Sequence, residues 1–381
     1  MRNECIYGGV CNACGRCGKY QAVKALDEYL PACERFEPRS GLGLAVDLGT
    51  TTVAMEWIDL ATGKSVAKAG FENPQRAYGA DVISRIGAAN QGHADDLGRL
   101  VCDAIAAHAS RISPDEITDC VISGNTTMMY LLLGYAPACL GVFPFDTKTK
   151  LKNAYTWQEI FGGPLECPVF ILPWISAFVG GDVVSGLLHA PKPKTASSFL
   201  LVDLGTNGEI ALCHGGAYSC TATAAGPAFE GLKAGLCGSE VLDAIATLRR
   251  ENTIDETGLL LGKSLFTQQE IREIQLAKAA VRAGIEILLN AAGRPALDKT
   301  YLCGGFGQAL NPDSAIEIGL FPKAMRGKII ALGNASLAGA ARLLRNPAAR
   351  EEIGAICAAE HLNLSTHPDF FQYFMDYMGF E

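Results

Sequence analysis

The sequence predicts an α/β protein built as two similar halves behind a small cysteine-rich module. Three observations carry this: a strand–turn–strand unit around DLGT that occurs twice, a strand breaking at glycine into a helix downstream of each copy, and a cluster of cysteines at the N-terminus. The length of 381 residues and the 49% hydrophobic content suffice for two cores.

The first element is residues 1–40. Five of the 14 cysteines (Cys5, Cys11, Cys14, Cys17 and Cys33) fall here, while the other nine are scattered singly, as small buried hydrophobes would be. MRNECIYGG carries no apolar leader, and the most apolar run, PVFILPWISAFVGG from Pro168, is short for a bilayer and broken by Pro173. A soluble, cytoplasmic protein with reduced or metal-bound thiols is expected. The net charge of −8 and the lack of a basic run argue against nucleic acid as a partner. EPRSG (37–41) reads as a linker.

The main body follows. LAVDLGTTTVAMEWIDLATG (44–63) and LLVDLGTNGEIALCHGGA (200–217) read as hairpins of one design. CVISGNTTMMYLLLG (120–134) and YLCGGFGQAL (301–310) are the strand-to-helix breaks, APKPKTASS (190–198) is the connector, and QLAKAAVRAGIEILLNAA (275–292) is a helix. Asp, Gly and Thr in one turn suit an anion held through Mg2+: glycine lets the backbone approach, Thr hydroxyls and N–H groups donate to phosphate oxygens, and Asp47 or Asp203 can hold metal-bound water. A lone DLGT is an ordinary hairpin turn. Two copies on a duplicated frame, with Gly304, Gly305 and Gly307 after a strand, point instead to a nucleotide.

In the order of these pieces the chain resembles the superfamily that contains actin, the Hsp70 ATPase domain, hexokinase and acetate kinase. The resemblance spans residues 42–345. It implies two RNase-H-like domains, 41–190 and 199–345, with Mg-ATP in the cleft between them and a C-terminal tail, 346–381, packed on the ATPase. It further implies that Gly49, Thr50, Thr51 and Thr52 form the first phosphate loop, that Gly205, Thr206, Asn207 and Glu209 form the second, and that Gly304 to Gly307 form the adenosine loop. GGDVVSGLL (180–188) and GNASLAGAARLL (333–344) correspond to connecting helices. Asp182 is then the candidate for orienting the attacking water; the alternative is a helix N-terminal Asp that caps its own backbone.

Within that superfamily, NPQRAYGADVISRI (73–86), ISGNTTM (122–128), AAGPAFEG (224–231, with Gly226 and Glu230) and HPDFFQYFMDYMGF (367–380) together resemble the reductive activators of corrinoid proteins. The resemblance implies that ATP hydrolysis drives an electron from an iron–sulfur cluster to an inactive cobalt(II) corrinoid protein, restoring cobalt(I) for methyl transfer. It implies as partners a corrinoid protein and a low-potential electron donor, and suggests a homodimer. Cys11, Cys14 and Cys17 match the first three ligands of the bacterial ferredoxin run, where a four-iron cubane is held by close C-x2-C-x2-C spacing and a further cysteine. The usual fourth position carries Gln21, so Cys33 or Cys5 must complete the set. AVKALDEYL (22–30) suggests a short helix that would return Cys33 to the trio. Zinc fits consecutive x2 spacing poorly, because a zinc knuckle uses two separated pairs. The competing functions are a small-molecule kinase with a structural zinc module and a nucleotide-dependent binding protein.

Overall fold

The structure, a computed structural model, describes residues 36–112, 116–147, 149, 151–152, 154–192, 198–205, 207–223, 236, 238–304 and 310–380. They fall into two compact units. One comprises the described part of Leu30–His189 with Ala335–Ala358, and the other the described parts of Ala190–Asn334 and Ala359–Glu381.

In the first unit the strands are β1 (Leu42–Leu48), β2 (Thr52–Asp59), β3 (Ser65–Glu72), β4 (Ile117–Gly124), β5 (Tyr155–Thr156) and β6 (Pro168–Ile171), in the sheet order β3-β2-β1-β4-β6-β5. The helices are α1 (Val82–Ala88), α2 (Ala94–Ala109), α3 (Thr126–Leu132), α4 (Trp157–Phe161) and α5 (Gly181–His189). β1 is antiparallel to β2 and parallel to β4. It lies inside the sheet and is covered on both faces, which explains the unbroken apolar run Leu44–Ala45–Val46 before Asp47. On one face Leu97, Val101, Ile105 and Ala109 of α2, four residues apart, pack on Leu44, Val46, Val53 and Met55.

The second unit repeats this plan. Its strands are β7 (Phe199–Leu204), β8 (Gly208–His214), β9 (Ala217–Thr223), β10 (Lys299–Cys303), β11 (Ile329–Gly333) and β12 (Glu360–His361), in the order β11-β10-β7-β8-β9-β12. Each sheet thus holds an antiparallel three-strand meander whose first strand also pairs in parallel with a later strand, and that strand with another. The duplication expected from the two DLGT hairpins is a duplication of topology. The helices α6 (Gly238–Arg250) and α7 (Gln268–Ala291) cover one face. α7 starts earlier than the apolar period alone predicts, at a capping box in which Thr267 and Glu270 satisfy each other's backbone N–H groups. Its Ile271, Ile274, Val281, Ile285 and Leu288 pack on the meander, each contributing on the order of 2 kcal/mol by burial.

The remaining helices are α8 (Pro312–Glu317), α9 (Ala335–Arg345), α10 (Ile353–Cys357) and α11 (Phe370–Asp376). α9 packs on α5, β1 and β4, so the division in space runs through the expected 199–345 domain at Asn334. A Cβ on Gly339 would overlap the Ser185 carbonyl, so glycine is what lets α9 lie against α5. The tail also divides: 346–358 stays with the first unit, and 359–380 with the second. There Lys278, fully buried on α7, donates to the carbonyls of Tyr377 and Gly379, and Phe380 is buried.

EPRSG behaves as part of the first unit. Arg39 donates to Asp119 at 2.7 Å and to the Leu344 carbonyl at 2.5 Å, and its backbone N–H reaches the Leu60 carbonyl at 2.8 Å. Polar composition suggested a linker, but the charge of Arg39 neutralises a buried carboxylate. The five N-terminal cysteines and the expected helix at 22–30 lie outside the described residues. Among the described residues no helix is long and apolar enough to cross a membrane.

Candidate functional site

The first DLGT loop closes the β1–β2 hairpin, with Leu48 opposite Val53 and the Gly49 N–H donating to the Thr52 carbonyl at 3.1 Å. Asp47 is the last polar residue before the turn, half-buried between the fully buried Val46 and Leu48. Ser336, in the first turn of α9, donates its hydroxyl to Asp47 Oδ1 at 2.8 Å. The Ser336 hydroxyl also lies 2.5 Å from that of Ser123, and its carbonyl accepts from Ser185 at 2.5 Å. Three buried serines from β4, α5 and α9 therefore fix one carboxylate. The sequence marks GNASLAGAARLL as a helix and does not single out Ser336 within it. The available signal was a small hydroxyl in the first turn of a helix otherwise rich in Ala and Leu.

Asp182 stands in the first turn of α5 and accepts the Val183 N–H at 2.9 Å. The local backbone contact of the alternative reading is therefore present. A second property goes beyond capping: burial, together with the negative charge of Asp47, pushes its carboxyl up to about 6, against the backbone bond that lowers it. Asp182 keeps partial solvent access even so. Gly180 lets this helix start approach that of α3, since a Cβ there would sit 2.6 Å from Asn125 Cα and 2.8 Å from Asp182 Oδ1. Asn125 caps α3 through the Met128 N–H and donates to the Thr50 hydroxyl at 2.9 Å. Asp47, Thr50 and Asp182 are thus brought together within one unit, by elements far apart in sequence.

In the second unit, Asp203 of β7 pairs across the hairpin with Glu209 of β8, on the same face of the sheet. The Gly205 N–H donates to the Asn207 carbonyl at 2.9 Å. Gly304 follows β10 with φ of +82°, and a Cβ there would lie 2.5 Å from Asp203 Oδ1 and 2.7 Å from the Leu204 carbonyl. The glycine is required for both its dihedral and its proximity. Thr206, Gly226, Glu230, Gly305 and Gly307 lie outside the described residues.

Each hairpin thus presents a carboxylate beside a tight turn, the chemistry suited to a polyanion held with a divalent cation. Among the described residues no group of three or more His, Cys, Asp or Glu side chains gathers to hold a metal by itself. Eight of the scattered cysteines are free thiols; burial raises the pKa values of Cys102, Cys120, Cys167, Cys213, Cys220, Cys303 and Cys357, which keeps these protonated.

Comparison with known proteins agrees with this architecture. Residues 42–191 match the family model of the RACo middle region, and residues 197–234 and 232–381 match that of the C-terminal domain of RACo, the ASKHA domain. The chain is 29% identical to the corrinoid activation enzyme RamQ of Eubacterium limosum, over 91% of this chain and 71% of the relative. It is 23% identical to the [Co(II) methylated amine-specific corrinoid protein] reductase of Methanosarcina barkeri, over 87% of this chain and 76% of the relative. A solved structure of a reductive activator for corrinoid, iron–sulfur protein superposes with a TM-score of 0.78 at 27% identity, covering 95% of this chain and 73% of the other.

Proposed function

This chain belongs to the RACo family of reductive activators of corrinoid proteins, and from that premise we propose an ATP-dependent reductase that returns a cobalt(II) corrinoid protein to cobalt(I). The observation that carries it is the match of the RACo models over both units, joined to relatives named as corrinoid activation enzymes and reductases. Those names favour reductive activation over a small-molecule kinase.

The residues proposed to take Mg-ATP are Asp47, Gly49, Thr50, Thr51 and Thr52 in one unit, and Asp203, Gly205, Thr206, Asn207 and Glu209 in the other, with Gly304, Gly305 and Gly307 as the adenosine loop and Gly226 and Glu230 as further nucleotide-binding residues. In this reading Asp47 and Asp203 would hold magnesium through its bound water. Asp182 orients the water that attacks the terminal phosphate: a carboxyl at about 6 is mostly ionised at pH 7 yet takes up a proton readily. Gly180 allows the Asp182 helix start to approach Asn125, Asn125 holds Thr50, and Ser336 holds Asp47.

Cys11, Cys14 and Cys17, with Cys33 as the fourth ligand and Cys5 as its rival, would hold an iron–sulfur cluster through four thiolates. When bound, that group would supply one electron, which reduces cobalt(II) to cobalt(I) on the corrinoid partner. A low-potential donor would then restore the electron. The test is anaerobic reconstitution with iron and sulfide, followed by EPR and iron and sulfide counts on the wild type, Cys33→Ser and Cys5→Ser. A four-iron signal kept by Cys5→Ser and altered in Cys33→Ser is expected. The reverse pattern moves the ligand to Cys5, and a colourless, zinc-containing protein overturns the cluster.

A further inference from the structure

The segment after β3 turns back beneath the first DLGT loop, and three of its polar side chains, Asn73, Gln75 and Arg85, are buried there. Asn73 and Gln75 are fully buried; Asn73 starts a turn, and the capping box of Asp81 and Ser84 starts α1, which places Arg85 one turn into that helix. Three successive carbonyls of the loop are tied inward by this segment. Asn73 Nδ2 donates to the Gly49 carbonyl at 2.9 Å, Arg85 Nη2 to the Thr50 carbonyl at 2.7 Å, and the Asn73 N–H to the Thr51 carbonyl at 2.9 Å.

In a trans peptide the C=O and N–H of one unit point in opposite directions. Holding the Gly49 and Thr50 carbonyls inward therefore aims the N–H groups of Thr50 and Thr51 outward, and neither donates a hydrogen bond among the described residues. Successive N–H groups turned to one side make an anion-binding concavity.

Of these tethers only Arg85 is charged. It is fully buried, and although burial lowers its guanidinium to about 10 it remains cationic at pH 7. Its other partners are neutral: the Gly79 carbonyl at 3.0 Å, Gln75 Oε1 at 3.3 Å and Met128 Sδ at 3.2 Å. Among the described residues it has no carboxylate within ion-pair distance; Asp81 and Arg76 act on it only at longer range. A buried cation among neutral partners is costly, and a charged donor on a carbonyl polarises the whole peptide unit and strengthens its N–H as a donor.

We propose that Arg85 is a positioning residue for the first phosphate loop: its bond to the Thr50 carbonyl aims and polarises the Thr51 N–H toward a phosphate oxygen, and the bound anion supplies the negative charge that the buried guanidinium lacks. This rests on the reading of residues 49–52 as a nucleotide loop. It also gives a physical role to the 73–86 stretch, which composition and spacing alone leave unexplained.

The experiment is Mg-ATP binding by calorimetry on the full chain, for wild type, Arg85→Lys and Arg85→Gln, with thermal unfolding of each protein free of nucleotide. Arg85→Gln keeps a donor and loses the charge, so its affinity should fall by about tenfold or more, the scale of one charged hydrogen bond. Arg85→Lys should stay within about threefold of wild type on the same scale. A Gln variant that binds like wild type, or a Lys variant as weak as Gln, overturns the proposal, because a purely structural role would show in unfolding and not in this order of affinities. A wild type that does not bind Mg-ATP overturns the nucleotide reading itself, and the proposal with it. Should the variants fail to fold, backbone amide NMR of the wild type decides. Mg-ATP should move the Thr51 N–H resonance downfield more than its neighbours in β1 and β2, and an unmoved Thr51 overturns the proposal.

Discussion

The two DLGT hairpins share a strand order but hold their carboxylates by different means. Asp47 is fixed by a hydroxyl from Ser336, 289 residues further along the chain, backed by Ser123 and Ser185. Asp203 stands opposite Glu209 on its own hairpin, and the backbone of Gly304 closes on it. The first carboxylate depends on a side chain that can be trimmed without moving the fold, whereas the second depends on the lack of a side chain. Duplication has kept the turn and let its support diverge.

The largest expected effect removes a carboxylate outright. Asp203→Ala should cut Mg-ATP hydrolysis by about a hundredfold or more while circular dichroism stays native, since it deletes a fixed charge at a developing one. Unchanged turnover would end the assignment of the second loop. Asp182→Asn should keep ATP binding and slow hydrolysis on a similar scale, of order a hundredfold.

The same Asp182 variant carries a pH signature. The folded carboxyl lies at about 6 against an ordinary 3.8, so the folded state binds the proton more tightly. The contribution of this one carboxyl to stability is then most favourable below about pH 4 and declines as pH rises through about 6, by up to about 3 kcal/mol. Without nucleotide, Asp182→Asn should therefore melt higher than wild type at pH 7, and the gap should close at pH 4. A gap independent of pH would assign Asp182 to helix capping.

Gly304→Ala probes the support of the second carboxylate. A non-glycine residue at φ of +82° with its Cβ on the Asp203 oxygen should cost about 1–3 kcal/mol in urea unfolding and weaken hydrolysis as well. Ser336→Ala probes the first and should do least. It loses one hydrogen bond to Asp47, of about 1 kcal/mol, so hydrolysis should fall by about tenfold or less. If Ser336→Ala proved worse than Gly304→Ala, the contrast between the two hairpins would be inverted.

How much of this was legible in the sequence depends on the range of each interaction. The hairpins, the breaks after β4 and β10, and α5, α7 and α9 were readable because alternation, glycine and helical spacing are local signals. The candidates Asp47, Asp182 and Asp203 came from motif order rather than from geometry. Ser336 and Arg85 were not read, because neither one's contact with its loop is encoded near it in the chain. EPRSG reads as a linker in the sequence because composition reports polarity and is blind to a partner such as Asp119. That contact also moves the useful truncation point: a chain starting at Phe36 should outlast one starting at Gly41, which loses Arg39 and exposes Asp119 to an unpaired burial.

The most direct test of the account is the reduction itself. The reconstituted chain is mixed anaerobically with a cobalt(II) corrinoid protein and a low-potential reductant, with and without Mg-ATP, and the cobalt(I) absorbance is followed. Cobalt(I) should form only with ATP and should be lost in Cys14→Ser and strongly slowed in Asp203→Ala. Equal formation of cobalt(I) without ATP, or no formation with it, would contradict the account.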